Sequence, residues 1–435
     1  MMIQYGILIL FLLALFACIL WGFSVIWALL LGYALFAGYA LYRRNSPKEV
    51  LKVTWEGIRM VKNILLTFIL IGMITALWRT AGTIPAIIYY AMRLFSPSLL
   101  LLASFLLCAL VSVLTGTSLG TAATVGVICM MIGGGMGTDP ALLGGAILSG
   151  SFFGDRCSPM STSALLVADV TKTDIYRNIG NMIRTSAVPF LITCAVYIVL
   201  GRSQSGQSMG AAVVARFAEW FDLRLLTILP ALAIVVLALF RVKVKLAMGI
   251  SIGIALVISA AVQGAQPLWL LRTIVFGFRA GDPELAALLN GGGILSMKKA
   301  FAIVMISGSY AGLFRITGLL EGLRSRLVAL SRVITPYGAL LVTAVLTCIV
   351  ACNQSLSIIL TDQLCGDIIP DKDRMAAALE DTCVVIAALI PWSVACATPL
   401  ATLSAPTTAL LAACYLYLLP LCHFWTGRFV RSEEE

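Results

Sequence analysis

Residues Ser149–Ser163 read SGSFFGDRCSPMSTS. They lie within an apolar segment, Pro140–Val170, of a length suited to crossing a bilayer, yet Gly150, Gly154, Asp155, Arg156, Ser158 and Pro159 fall within ten positions. In hydrocarbon every backbone polar group needs an internal partner, so an interrupted helix is tolerated only inside protein or beside a watery cavity. A charge at bilayer depth costs about 2.5–3.5 kcal/mol on insertion scales and marks a functional site by default. Counted from either end of the segment, Asp155 is close to the middle. A discontinuous membrane helix with a carboxylate at its break is a recurrent way of building an ion site in transporters.

The rest of the chain fits this setting. Its 435 residues are 60% hydrophobic and 11% charged, where a soluble domain is about a quarter charged. That composition describes a polytopic membrane protein, and no polar run is long enough for a separate soluble domain. The net charge of +10 does not indicate nucleic acid, because the basic residues flank apolar spans in the manner of cytoplasmic loops. The twelve cysteines lie mostly in apolar spans without C-x-x-C spacing, which reads as inert buried thiols rather than disulfides or zinc ligands. The single histidine, His423, gives no basis for a histidine metal cluster. The apolar run from Ile3 to Leu41 is too long for a signal peptide and is expected to be retained as two spans turning near Trp21–Ser24.

Arg43, Arg44, Lys48, Lys52, Arg59 and Lys62 follow, which places this loop and the N-terminus in the cytoplasm. Val50–Val61 reads as an interfacial helix, Ile64–Ala81 as a span and Pro85–Phe95 as interfacial. Leu99–Ile132 is broken by Thr115–Gly120, leaving arms shorter than the roughly 20 residues needed to cross; the expectation is a re-entrant hairpin. Ser186–Gly201 is a further span, and Arg202–Asp222 a polar linker. Spans are expected at Leu225–Phe240, Leu246–Val262 and Ala300–Leu313, interrupted segments at Gly338–Pro370 and Met375–Leu403, and a last span at Ala405–Trp425.

The order repeats. Thr115–Gly120 corresponds to Cys352–Ser355, and Ser158–Pro159 to Ile390–Pro391. The expected fold is therefore all-α, with two inverted repeats, each of about five spanning helices plus a re-entrant hairpin. The first repeat covers residues 1–201, the linker 202–222, and the second, inverted repeat 223–435. This topology puts 20 Lys and Arg inside and 9 outside, with Arg156 in the membrane; if both hairpins span, the split is 17 to 12. The positive-inside rule favours the first, with both termini in the cytoplasm.

Small hydroxyl residues at the first tip, Thr117 and Ser118, and backbone carbonyls there can replace the hydration shell of a small hard cation. Packing through small residues is the competing explanation. GTSLG also fits the serine-hydrolase elbow G-x-S-x-G, but the elbow needs a strand-to-helix turn and a histidine partner. Burial favours the protonated form of a carboxylate and a bound cation the ionised form, so Asp155 alone can carry either H⁺ or Na⁺. Arg156 reads as structural or as a counter-charge to Asp155. Glu380 and Asp381 lie about ten residues before Pro391, nearer the cytoplasmic end, and one of them reads as a solvated helix-start acid beside Asp371 and Asp373. Asn353 and Gln354 are neutral oxygen donors, suited to Na⁺, to a polar substrate or to interhelical hydrogen bonds.

TGTSLGTAATVGV (Thr115–Val127) and GAILSGSFFGDRCSPMSTSALL (Gly145–Leu166) resemble the paired signature of the NhaC-type Na⁺/H⁺ antiporters. LEDTCVVIAALIPWS (Leu379–Ser393), the NQSLSIIL run from Asn353 and LNGGGILSM (Leu289–Met297) are similar to the same family. The resemblance covers the chain from about Pro85 onward. It implies an inverted-repeat transporter fold with sodium–proton exchange as the default activity; malate/lactate exchangers and amino-acid carriers are among the relatives. The family usually reads S-P-L-S-D-T-T-N after G-D. Here Thr162-Ser163-Ala164-Leu165 follows Ser161, so an Asp and an Asn are missing, and Ser393 stands where an Asn is common.

The sequence thus points to a secondary transporter of the cytoplasmic membrane that exchanges Na⁺ for H⁺ by alternating access and needs no cofactor. Its partners are the lipid bilayer and its cargo, not nucleic acid, and a homodimer is left open. Asp155 is the carboxylate for which Na⁺ and H⁺ compete. Thr117, Ser118, Ser158, Asn353, Gln354 and Ser393 are the neutral candidates for ion or substrate binding, and Glu380 and Asp381 serve a second half-site or the proton path. A Na⁺-coupled carrier of a small organic anion or amino acid is the second reading. An intramembrane enzyme is the third, with no nucleophile–base pair to support it.

Overall fold

The computed structural model describes residues 2–21, 23–94, 97–204, 219–240, 242–281, 286, 289–317 and 335–426. The linker core 205–218 and the basic residues Arg241, Arg324, Arg326 and Arg332 lie outside them. The described residues are helical, with one isolated bridge, Phe278 to Gly291, and no strand. Six helices are long and apolar enough to cross a membrane, or seven if one bent pair counts as a span. The chain is a multi-pass membrane protein.

Helices α1 (Met2–Leu20) and α2 (Val25–Tyr42) turn where the sequence predicts. Helix α3 is continuous over Pro47–Thr80, so the interfacial helix and the span expected around Val61–Ile64 are one element. Lys62-Asn63 contains no Gly or Pro, and nothing there stops a helix. Its 34 residues extend about 51 Å at 1.5 Å each, well beyond the roughly 30 Å of hydrocarbon. The basic first turns can therefore stand outside the membrane. Helix α4 (Thr83–Leu94) buries Ile84, Ile87 and Ile88 against the protein over its first turns. Phe95 lies outside the described residues.

Helix α5 (Leu100–Thr115) ends at Gly116, whose φ of 66° is left-handed. Thr117 then turns extended and caps α6 (Ser118–Met136) by accepting from the Gly120 N–H at 3.2 Å. Helix α6 contains a π turn at Ala122–Gly126, and its 19 residues are long enough to cross. The expectation that both arms of this hairpin are too short fails for the second arm. Helix α7 (Pro140–Arg156) stops at the break, and α8 (Thr162–Thr171) restarts from the Ser161 cap. Gly150 and Gly154 let α7 lie directly on α5. A Cβ at Gly154 would sit 2.4 Å from Ser112 Cβ, and one at Gly150 would sit 2.3 Å from the Phe105 carbonyl oxygen. This is the close backbone approach that small residues permit in membranes.

Helix α9 (Ile175–Ser203) begins three turns before the expected Ser186. Helices α10 (Leu229–Leu239) and α11 (Val244–Ala261) follow, then α12 (Pro267–Phe276), which sequence reading did not anticipate, and α13 (Lys298–Thr317). The second interrupted region comprises α14 (Pro336–Ala351), α15 (Gln354–Cys365), α16 (Lys372–Leu389) and α17 (Val394–Leu403), the last two bent by 51°. The expected last span is itself broken, with a 3₁₀ stretch at Thr407–Ala412 preceding α18 (Cys414–Thr426).

Local geometry recurs along the chain. Helices α5 and α14 have 16 residues each and end in left-handed residues, Gly116 (φ 66°) and Cys352 (φ 55°). Thr117 and Asn353 follow with φ near −150° and cap the next helix with their side chains. Asp139 and Asp371 cap α7 and α16, and Ser161 and Ser393 cap α8 and α17. Both α8 and α17 have ten residues, ending at left-handed Lys172 and Ser404.

Candidate functional site

Asp155 occupies the last turn of α7 and is 4% exposed. Its Oδ1 accepts from the Ser161 hydroxyl at 2.8 Å, and its Oδ2 from Ser118 at 3.0 Å and Ser163 at 3.5 Å. Ser118 opens α6, and Ser161 and Ser163 open α8. The carboxylate therefore faces two helix N-termini, whose N–H groups and dipoles favour negative charge. The chain supplies this geometry locally. Gly116 takes a conformation costly for other residues, and in doing so swings Ser118 back toward α7. Ser161 does two things: it caps α8 through the Ser163 and Ala164 N–H groups, and it donates to Asp155. Met160 packs against Gly116, where a Cβ would lie 2.6 Å from the Met160 carbonyl carbon, so the hairpin tip and the break are pressed together.

Of the two readings of Arg156, the structural one fits: it is not the counter-charge of Asp155. Its fully buried guanidinium pairs with Asp381, 225 residues away, and also donates to Thr185 (2.8 Å), Ser186, Tyr415 (3.2 Å) and the Met182 carbonyl (3.2 Å). The other Asp381 oxygen lies 2.5 Å from His423 Nδ1, and the His423 ring stacks on Tyr337 at 4.2 Å. The network ties α7 and α9 to α16 and α18. Asp381 and Glu380 are both fully buried. Neither is a solvated helix-start acid, a role that Asp371 fills by capping α16. Asp381 is committed to Arg156 and His423, whereas neither Glu380 oxygen has a hydrogen-bond partner among the described residues.

The neutral candidates separate. Ser118 reaches Asp155. Thr117 is a helix cap, and Ser158 holds the break by accepting from the Met160 N–H at 3.3 Å. Asn353 caps α15 through the Leu356 N–H, Gln354 donates to the Val384 carbonyl at 2.9 Å, and Ser393 accepts from the Ala395 N–H. None of these three residues of the second region hydrogen-bonds Asp155. In the recurrent geometry Ala387 stands 232 positions after Asp155. The two breaks thus share a backbone, and the first alone carries a carboxylate at this place. Sequence reasoning missed Ser161 and Ser163 as Asp155 partners. The spacing Asp155, Ser161, Ser163 around Pro159 was the available signal.

A sequence model described as the Na⁺/H⁺ antiporter family matches residues 1–169 and 150–426. The chain is 28% identical over 352 residues to the Na⁺/H⁺ antiporter NhaC of Alkalihalophilus pseudofirmus, covering 78% of this chain and 76% of that protein. It is 28% identical over 362 residues to the malate-2H⁺/Na⁺-lactate antiporter of Bacillus subtilis, covering 80% and 77%. It is also 28% identical over 407 residues to the Na⁺/H⁺ antiporter NhaC of Bacillus subtilis, covering 88% of each.

Proposed function

We propose that this chain, which belongs to the Na⁺/H⁺ antiporter family, exchanges Na⁺ for H⁺ across the cytoplasmic membrane by alternating access. It is a transporter rather than an enzyme. One observation carries the assignment of the ion site: a buried carboxylate ringed by three serine hydroxyls and without a cationic partner among the described residues. Na⁺ is a hard cation and takes oxygen ligands; a proton takes one oxygen of the same carboxylate. The two cargoes compete for Asp155, and competition at one site is the minimal chemistry of exchange. When Na⁺ is bound, Ser118, Ser161 and Ser163 turn lone pairs toward it; when a proton is bound, they return to hydrogen bonding. Ser161 is a serine of the family pattern itself, and Ser163 adds a hydroxyl between Thr162 and Leu165, which stand where that pattern has its Asp and its Asn.

The fold reading that goes with this is two inverted repeats, residues 1–201 and 223–435, joined by the linker 202–222, with both termini in the cytoplasm. The recurrence of α5–α8 geometry in α14–α17 supports the duplication. Re-entrance of the second hairpin is supported by its arms of 16 and 12 residues. A Na⁺-coupled carrier of an organic anion is the second reading, favoured by the similarity to the malate-2H⁺/Na⁺-lactate antiporter.

Calorimetry on purified protein separates the two. In an exchanger, Na⁺ binding releases a proton, so its apparent affinity weakens as pH falls, by up to about tenfold per pH unit for one proton displaced. Added malate, lactate or amino acids leave it unchanged. Tight Na⁺ binding that appears only with an organic ligand overturns the exchanger reading.

A further inference from the structure

Glu380 sits mid-way along α16, is 0% exposed, and has no hydrogen-bond partner for either carboxylate oxygen among the described residues. The charged and titratable groups that act on it are Arg156 and Asp155 from α7, and Asp381 and the Cys383 thiol from its own stretch. Tyr415 and His423 of α18 are engaged by Arg156 and Asp381. Arg177 of α9 pairs with Asp373, two turns earlier on α16. Thus two buried carboxyl groups, Glu380 and Asp381, lie near the one guanidinium, and Asp381 holds it.

We propose that Glu380 is a second proton site of the transport cycle, so that two protons move against each Na⁺. The inference rests on Asp155 being the Na⁺/H⁺ site. An unpaired buried carboxylate costs several kcal/mol, and neutralising it removes that cost. A hard metal cation needs a shell of several oxygens. Asp155 has such a shell in its three serines; among the described residues no hydroxyl or carbonyl is bonded to Glu380. A proton requires only the carboxyl oxygen, which makes it the cargo that this place fits. In each cycle Glu380 binds a proton from one side and releases it to the other, while Asp155 exchanges its proton for Na⁺. Two protons cross one way and one Na⁺ the other, a net transfer of one positive charge. When Glu380 has lost its proton, the nearby Arg156 limits the cost of its charge.

The test uses the full chain in proteoliposomes, with ²²Na⁺ as the probe and a tenfold proton ratio imposed at zero membrane potential. Each exchanged proton contributes its own gradient, so the wild type should reach a Na⁺ ratio of about 100-fold, and Glu380→Gln about tenfold. A membrane potential imposed with K⁺ and valinomycin, without other gradients, should drive Na⁺ through the wild type and not through Glu380→Gln. A wild-type ratio near tenfold with no response to voltage overturns the inference and leaves the Asp155 reading intact. So does a ratio near 100-fold that Glu380→Gln retains. Absence of any Na⁺/H⁺ exchange in the wild type overturns both. Should Glu380→Gln fail to fold, Glu380→Asp replaces it; it keeps a carboxyl and should keep the two-proton ratio, and a tenfold ratio in the wild type still refutes the proposal.

Discussion

Ser118→Ala removes one of the three hydroxyls around Asp155 and little else. Ser118 occupies the first position of α6, whose cap is the neighbouring Thr117, so the helix start is preserved. Its hydroxyl donates to Asp155 at 3.0 Å in a buried setting. With Na⁺ bound the same hydroxyl turns its oxygen to the ion, and losing one polar contact to a charged group costs about 1.5–3 kcal/mol. At about 1.4 kcal/mol per factor of ten, the Na⁺ concentration for half-maximal exchange should rise roughly 10- to 100-fold. Dequenching of a pH-sensitive dye in proteoliposomes, titrated with Na⁺, reads this directly. Ser163→Ala should have a smaller effect, because its hydroxyl is 3.5 Å from the carboxylate. The maximal rate should change less than the half-saturation in both variants. An unchanged half-saturation in Ser118→Ala refutes the placement of Ser118 in the ion site.

Asp381→Asn leaves the fully buried Arg156 without its carboxylate partner, which costs about 3–5 kcal/mol when one member of a buried pair is removed; the thermal midpoint in detergent should fall sharply, whereas Asp155→Asn should unfold close to the wild type. Gly154→Ala places a Cβ 2.4 Å from Ser112 Cβ and should destabilise by about 1–3 kcal/mol through overpacking of α7 on α5, measured by the same melt. For topology, single cysteines at Ser46 and Ser331 in a cysteine-free background should label only from the cytoplasm, and one at Ser205 only from outside; labelling of Ser205 and Ser331 from the same side contradicts the inverted repeat.

Much of the fold was legible because membrane spans announce themselves by length and apolarity, and breaks by Gly, Pro and Ser within them. The turn between α1 and α2, the break after Arg156 and the recurrence of capped breaks all follow from local rules. What escaped depends on distance in sequence. Arg156 stands beside Asp155 in the chain but pairs with Asp381, because α7 turns its successive residues about 100° apart. One of Glu380 and Asp381 read as a solvated acid beside Asp371 and Asp373, although the intervening run Met375–Leu379 is apolar and carries α16 into the core. His423 was set aside as a lone histidine near the chain's end. Its place in the apolar stretch around Pro420 was a signal that it needs a partner, and Asp381 is that partner.

The most direct test of the central claim is ²²Na⁺ uptake into proteoliposomes under an imposed pH gradient, comparing the wild type with Asp155→Asn. Uptake by the wild type should collapse when the proton gradient is dissipated, and Asp155→Asn, folded and inserted, should show none. Proton-driven ²²Na⁺ uptake by Asp155→Asn at a rate near the wild type would contradict it.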